Sequence, residues 1–209
     1  MNKVIVTTTI FPPSPALIKF AAMKDWQLVI AGDKKTDHGA YDRQEFDEAH
    51  YLCDFVQEKF DPKLSELIGW NCIQRRNFAF LFACKELKAD WVYTCDDDNI
   101  PMDNWGEVVA VGESTHCRVV DVEQPAFDPL AFTVVGQTLW HRGFPLELVK
   151  DRFYPRPKIR SERMKCDVQA DLWNGEPDVD AICRLLHKTS DCEFGPGKYL
   201  VTSNKPSPF

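Results

Sequence analysis

Trp91-Val92-Tyr93-Thr94-Cys95-Asp96-Asp97-Asp98 decides how this chain is read. An apolar, strand-favouring run leads directly into three carboxylates. Open α/β sheets bind their ligands at the carboxyl ends of their strands. Adjacent carboxylates repel one another, and the run becomes favourable when a hard divalent cation sits among them, because Mg²⁺ and Mn²⁺ take anionic oxygen ligands. The plain alternative is a solvated acidic turn continued by Asn99-Ile100-Pro101. The position immediately behind a strand favours the metal site, with Asp96 and Asp98 as ligands in an Asp-Xaa-Asp arrangement. Asp96 and Asp97 would then border a nucleotide diphosphate.

The surrounding segments set the fold class. Lys3 to Thr8 is β-branched and reads as a buried first strand. Ser14-Pro15 supplies an N-cap and a proline at the first helical position, opening a helix to about Lys24 that buries Leu17, Ile18 and Ala21. Gln27 to Ala31 is a second strand ended by Gly32-Asp33. Lys34 to Arg43 is polar and reads as a loop, and Ala49 to Cys53 as a short strand. Arg76 to Leu87 is apolar on most faces, as suits a helix packed between a sheet and other elements. This alternation predicts an α/β fold, with a mostly parallel sheet and helices on both faces.

Beyond residue 105 the pattern is irregular. Val108 to Val111, Arg118 to Val122 and Ala131 to Val135 read as short strands, and Asp151 to Arg163 as a basic, proline-containing loop or flap. Asp178 to His187 reads as a helix started by Pro177 and Asp178. The tail, 195–209, has no clear periodicity. We expect one domain over 1–209, with a nucleotide-binding half at 1–104 and an acceptor-side half at 105–194.

Bulk properties limit the function classes. A 44% hydrophobic, 27% charged chain can bury a substantial core. A net charge of −7 argues against a broadly basic nucleic-acid surface. One local exception is Arg152, Arg156, Lys158, Arg160, Arg163 and Lys165, which could form a phosphate-tracking edge. Eight cysteines form no CxxC pair and several lie in apolar runs, as buried thiols do. No run approaches the ~20 apolar residues that span a membrane, and the opening strand is unlike a signal peptide. The expectation is a cytoplasmic protein with no membrane partner; an oligomer stays open.

Further residues join the aspartates. Arg75-Arg76 precede the apolar helix, whose N-terminus presents free N–H groups and partial positive charge to phosphate; bidentate arginine contacts would add to this. Asp33 could accept from a base or ribose hydroxyl, although an ordinary turn aspartate is the better reading of that residue alone. Thr7, Thr8 and Thr9 could offer backbone contacts to the base. Trp140-His141-Arg142-Gly143-Phe144-Pro145 mixes aromatic, basic and turn residues. Asp178 and Asp180 sit at a helix start, where Asp178 could be an N-cap or the pair could orient and deprotonate an acceptor hydroxyl.

Four blocks in order carry a family resemblance. They are Val4-Ile5-Val6-Thr7-Thr8 with Ala31-Gly32-Asp33, then Arg75 to Asn99, then Arg142-Gly143-Phe144-Pro145, then Leu172-Trp173-Asn174-Gly175-Glu176-Pro177-Asp178-Val179-Asp180-Ala181. The series resembles two related GT-A-type groups: the plant reversibly glycosylated polypeptides, or UDP-arabinopyranose mutases, and the STELLO glycosyltransferases. The resemblance implies a GT-A fold, a nucleotide-sugar donor, UDP-linked, and Mn²⁺ or Mg²⁺ at Asp96 to Asp98. It implies that Thr7 to Thr9 and Asp33 hold the nucleoside, and that Arg75, Arg76 and Arg142 contact the nucleotide-sugar. Asp178 and Asp180 would serve the sugar or acceptor side. The chain is shorter than members of either group, so neither the acceptor nor mutase activity carries over. The leading expectation is a metal-dependent glycosyltransferase whose acceptor is a small molecule, glycan, protein or hydroxymethylated nucleic-acid base. The alternatives are a UDP-sugar mutase and a non-catalytic nucleotide-sugar-binding subunit.

Overall fold

A computed structural model describes residues 1–43, 49–133, 138–189, 192–194 and 200–208. The chain divides into two compact units, Met1–Glu107 and Val108–Phe209.

The first unit contains β1 (Lys3–Thr9), α1 (Pro15–Ala21), β2 (Gln27–Gly32), α2 (His38–Arg43) and β3 (Ala49–Leu52). These are followed by α3 (Asp54–Phe60), α4 (Pro62–Ile68), α5 (Arg76–Lys85) and β4 (Trp91–Thr94). The strands form one wholly parallel sheet in the order β3-β2-β1-β4, with Ile5 in register with Leu28 on one side and Tyr93 on the other. Successive side chains of a strand point to opposite faces, and here both faces are covered. Ile5, Leu28 and Ile30 pack with Leu17, Phe20 and Ala21 of α1. Val4, Val6, Val29 and Ala31 pack with Phe78, Ala79 and Ala83 of α5. This double covering explains why β1 and β2 read as continuous apolar runs instead of alternating ones. The result is a Rossmann-like three-layer arrangement.

Several boundaries differ from the sequence reading. α1 stops at Ala21, and Ile18 is exposed because the buried stripe runs through Ala16, Leu17, Phe20 and Ala21. The polar segment from Lys34 includes α2, and α3 and α4 fill the stretch before Arg75 that carried no clear sequence signal. α4 is started by Asp61, which accepts from the Leu64 N–H, with Pro62 behind it. Gly32 ends β2 for a steric reason: a Cβ there would overlap the Tyr51 hydroxyl.

In the second unit β5 (Ser114–Asp121) pairs antiparallel with β6 (Lys158–Lys165) and parallel with β7 (Leu200–Ser203), in the order β6-β5-β7. α6 spans Ala181–Leu186. Leu130, Leu139, Trp140, Val179, Cys183 and Cys192 form its main apolar cluster. Beside it Asp128 and Arg152 form a buried pair, Nε to Oδ2 3.6 Å. Burial pushes the Asp128 carboxyl up and the Arg152 guanidinium down, against the N–H groups of Leu130 and His141 that stabilise the carboxylate.

Here too expectations are corrected. The basic flap expected over Asp151 to Arg163 contains β6, an eight-residue strand. Val108 to Val111 makes only a single bridge, Val111 to Cys166. Ala131 and Phe132 lie in a 3-10 turn, and Val134 and Val135 fall outside the described residues. The tail is not wholly irregular, since β7 completes the sheet; residues 195–199 lie outside the described residues. Among the described residues no helix is long and apolar enough to cross a membrane, and no disulfide links the eight cysteines.

Candidate functional site

Strand order places the acidic run. From β1 the chain adds β2 and β3 on one side and then β4 on the other, so the sheet's topological switch point lies between the ends of β1 and β4. Ligands of open α/β sheets bind in the crevice outside the strands' carboxyl ends at that point. Thr7-Thr8-Thr9 closes β1 there, and Cys95-Asp96-Asp97-Asp98 follows β4.

The turn is tied down residue by residue. The Asp96 N–H donates to Asn99 Oδ1 at 3.1 Å. Asp97 is held from two sides: its carboxylate accepts from the Thr9 hydroxyl, and its carbonyl accepts from the Ser14 hydroxyl at the start of α1. The Thr7 hydroxyl donates to the Cys95 carbonyl at 2.9 Å and the Thr8 hydroxyl to the Ala31 carbonyl at 2.8 Å. The three threonines therefore stitch β1 to its neighbours through their side chains. Burial pushes the Cys95 thiol up to about 12, so it is neutral and no nucleophile at ordinary pH.

Arg76, the first residue of α5, ion-pairs with Asp96 and also reaches Thr94 Oγ1 at 3.4 Å. Its Nε is buried with no hydrogen-bond partner among the described residues. The Asp98 carboxylate is exposed and has no partner there. The site thus offers an unused guanidinium donor and an unused carboxylate. Phosphate would satisfy the first and a hard cation the second. No group of three His, Cys, Asp or Glu that could hold a metal occurs among the described residues. A cation at Asp98 and Asp96 would therefore complete its shell with phosphate oxygens and water, as Mg²⁺ commonly does.

Two expected contacts are already committed elsewhere. Arg75 is fully buried. Its Nε donates to Gln57 Oε1 at 2.9 Å and its Nη1 to the Gly69 carbonyl at 3.1 Å, while both terminal nitrogens reach Ser65 Oγ. Its guanidinium lies 3.5 Å from the Trp70 ring centre. Gln57 in turn donates to the carbonyls of Gly32 and Leu52. Arg75 braces α3 and α4 against the ends of β2 and β3, and its reading as a phosphate ligand is corrected. Asp33 is likewise buried, accepting from the N–H groups of Lys34, Asn71 and Cys72. It pins the 69–72 loop, which leaves the nucleoside role expected of it without support.

Beyond the switch point the emerging segments expose Ile10 and Phe11 after β1, and Ile100 and Met102 after the turn. Sequence reasoning passed over these, as it did Ser14's second role and Tyr41, whose hydroxyl donates to the Phe11 carbonyl at 2.9 Å. Only the Ser14 cap and the Asp96–Asn99 spacing carried a local signal.

In the second unit the two later blocks meet. Arg142 Nη2 lies 3.0 Å from Asp178 Oδ2, the Arg142 N–H donates to the Asp178 carbonyl, and His141 bridges to Val179. Asp180, not Asp178, caps α6, accepting from the Ile182 N–H at 2.8 Å. No family model and no curated protein matches the chain.

Proposed function

We propose that the chain binds a nucleotide-sugar at the switch point of its parallel sheet and transfers the sugar to an acceptor hydroxyl. One observation carries this reading. A carboxylate turn lies where such sheets hold ligands, beside an arginine at a helix N-terminus that has an unused buried donor. The ordered blocks that resemble GT-A-type glycosyltransferases support it.

Arg76 would bind the diphosphate through its guanidinium. Asp98, with Asp96, would hold Mn²⁺ or Mg²⁺. That cation would neutralise charge on the departing diphosphate. Thr9, Ser14 and Asn99 fix the turn in place so that the carboxylates need no rearrangement on binding. With Asp33 committed to a loop, recognition of the base falls to the 10–13 segment and its exposed Ile10 and Phe11. In the transfer, the bond from the sugar's anomeric carbon to the diphosphate breaks and one to the acceptor oxygen forms. A carboxylate takes the acceptor's proton, a role that the family resemblance, by sequence alone, gives to Asp178 or Asp180.

A second reading, binding without transfer, is favoured by the partners that Asp178 and Asp180 already have. The test of the first reading is a thermal-shift series with UDP, GDP, CDP and UDP-sugars, each with Mn²⁺ and with EDTA. A ligand that binds the folded state alone raises the midpoint with its concentration over Kd. A Mn²⁺-dependent rise for one nucleotide, followed by release of free nucleoside diphosphate in the presence of acceptor, is the expected result. No shift with any nucleotide overturns both readings. A shift without transfer leaves the second.

A further inference from the structure

The sheet of the second unit has one face on which none of its three strands places a carboxylate. Register assigns Ser114, His116, Arg118 and Val120 of β5 to that face, beside Lys165, Arg163, Ser161 and Ile159 of β6 and Val201 and Ser203 of β7. All of these except Val120 and Ser203 are exposed. No acidic residue of the three strands lies there, although the chain has 32 Asp and Glu against 25 Lys and Arg. Asp121 and Glu162 project from the opposite face, where Arg160 pairs with both. A solvated face would mix signs. This one presents three cations, a histidine and the two hydroxyls of Ser114 and Ser161.

We propose that this face binds the sugar-phosphate backbone of a single-stranded nucleic acid. Backbone recognition draws on arginine, lysine and serine side chains together, and Arg118, Arg163, Lys165, Ser114 and Ser161 supply that set. Alternate residues on a strand are about 6.7 Å apart, so Arg163 and Lys165 form a short row along β6, with Arg118 on the neighbouring strand. The Arg163 Nε donates to Ser114 Oγ at 3.3 Å, which orients the guanidinium on the face. Lys165 pairs with Asp167 at 3.1 Å, but both side chains are highly exposed, and such a pair is weak enough to exchange for phosphate. The face is an open sheet surface, along which the flexible backbone of a single strand can be followed by cationic side chains. Its contacts are to the backbone, so binding is tolerant of sequence and of modest strength.

Of the six basic residues of 152–165, the structure leaves Arg163 and Lys165 on this face. Arg152 is buried against Asp128, and Arg160 is paired on the other side. Arg118 joins from a strand some forty residues earlier, which only the register reveals. The proposal stands apart from the nucleotide-sugar reading, which concerns the other unit.

The test is fluorescence anisotropy of a short labelled oligothymidylate with the full chain, titrated with salt. Three neutralised phosphates predict a slope of log K against log salt near −2, from about −0.7 per phosphate on a single strand. Arg118→Gln/Arg163→Gln/Lys165→Gln should weaken binding at least tenfold at low salt, and Arg163→Gln alone should flatten the slope by about 0.7. The equally charged control Lys150→Gln/Lys158→Gln/Arg160→Gln should stay within twofold. Absence of salt-dependent binding, an equal loss in the control, or displacement by polyglutamate at equal charge as readily as by oligonucleotide would each overturn the proposal. UDP-induced thermal shifts in the triple variant should match the wild type, which separates this outcome from failure of the first unit's site.

Discussion

Arg76 and Asp96 form an ion pair that joins the first turn of α5 to the end of β4. The pair neutralises one of three adjacent carboxylates and keeps a guanidinium at the switch point. Arg75, one residue earlier, faces the opposite way into a buried hydrogen-bond set. Neighbouring arginines of identical chemistry therefore make opposite predictions. A charge-assisted hydrogen bond contributes about 1.5–3 kcal/mol, so Arg76→Ala should weaken UDP binding roughly ten- to a hundredfold while uridine binding holds. Arg75→Met should lower stability by several kcal/mol, through stranded Gln57 and Ser65, while the folded fraction keeps its UDP affinity. Calorimetric titration with UDP and with uridine, alongside denaturant melts, separates the two. Equal loss of uridine and UDP affinity in Arg76→Ala would make that residue structural as well.

The aspartates divide in the same way. Asp97 is bound to Thr9, whereas Asp98 is exposed and has no partner among the described residues. Asp98→Asn should leave the melting temperature without ligand unchanged and abolish the Mn²⁺-dependent part of UDP binding. Asp97→Asn should lower the melting temperature, as should Thr9→Val. If Asp98→Asn binds UDP alike with Mn²⁺ and with EDTA, and just as tightly as wild type does with Mn²⁺, no cation is held there.

Tyr41 sets a pH dependence. It is 4% exposed, its ring stacks on Tyr51 with centres 4.2 Å apart, and burial pushes its hydroxyl up to about 12 from 10.0. The unfolded chain loses this proton near pH 10, whereas the folded chain keeps it to about 12. Its contribution is therefore complete below pH 10 and disappears as pH rises through that window. Two pH units at 1.36 kcal/mol each amount to about 2–3 kcal/mol. Burial raises Tyr51 in the same direction, so Tyr41→Phe should reduce the alkaline slope of stability without abolishing it. Denaturant melts at stepped pH would show this. An unchanged slope would mean that Tyr41 ionises in the folded state as freely as in the unfolded one.

The parallel sheet was legible because β1 and β2 are buried on both faces, and continuous apolar runs follow from that. The Ser14-Pro15 start of α1 was legible from capping chemistry alone. β6 was not, because all eight of its residues are exposed and no apolar alternation marks an edge strand of that kind. Within the site, the position of Asp96 to Asp98 could be read from the strand before them. The different fates of Arg75 and Arg76 could not, since they depend on Gln57 and Ser65, partners from helices that the sequence did not announce. Asp33 shows the same limit: its three N–H donors come partly from Asn71 and Cys72, far along the chain.

Asp178 and Asp180, two residues apart, give the last contrast. The Asp180 side chain accepts from the Ile182 N–H and so is committed to capping α6. Asp180→Ala should cost about 1 kcal/mol by loss of the cap, and Asp180→Asn should keep it. Asp178 answers to an exposed arginine instead, and an exposed ion pair holds its partners weakly. If Asp178 is the base, Asp178→Asn should slow transfer by about a hundredfold or more without loss of stability, and Asp180→Asn should leave it within a few fold. The comparison needs single-turnover rates and melting curves for the same three variants. Loss of rate in Asp180→Asn with its stability intact would reverse the assignment. Wild-type rates in both asparagine variants would remove the pair from the chemistry and leave them as the ion pair and the cap that hold the 140–144 and 175–186 segments.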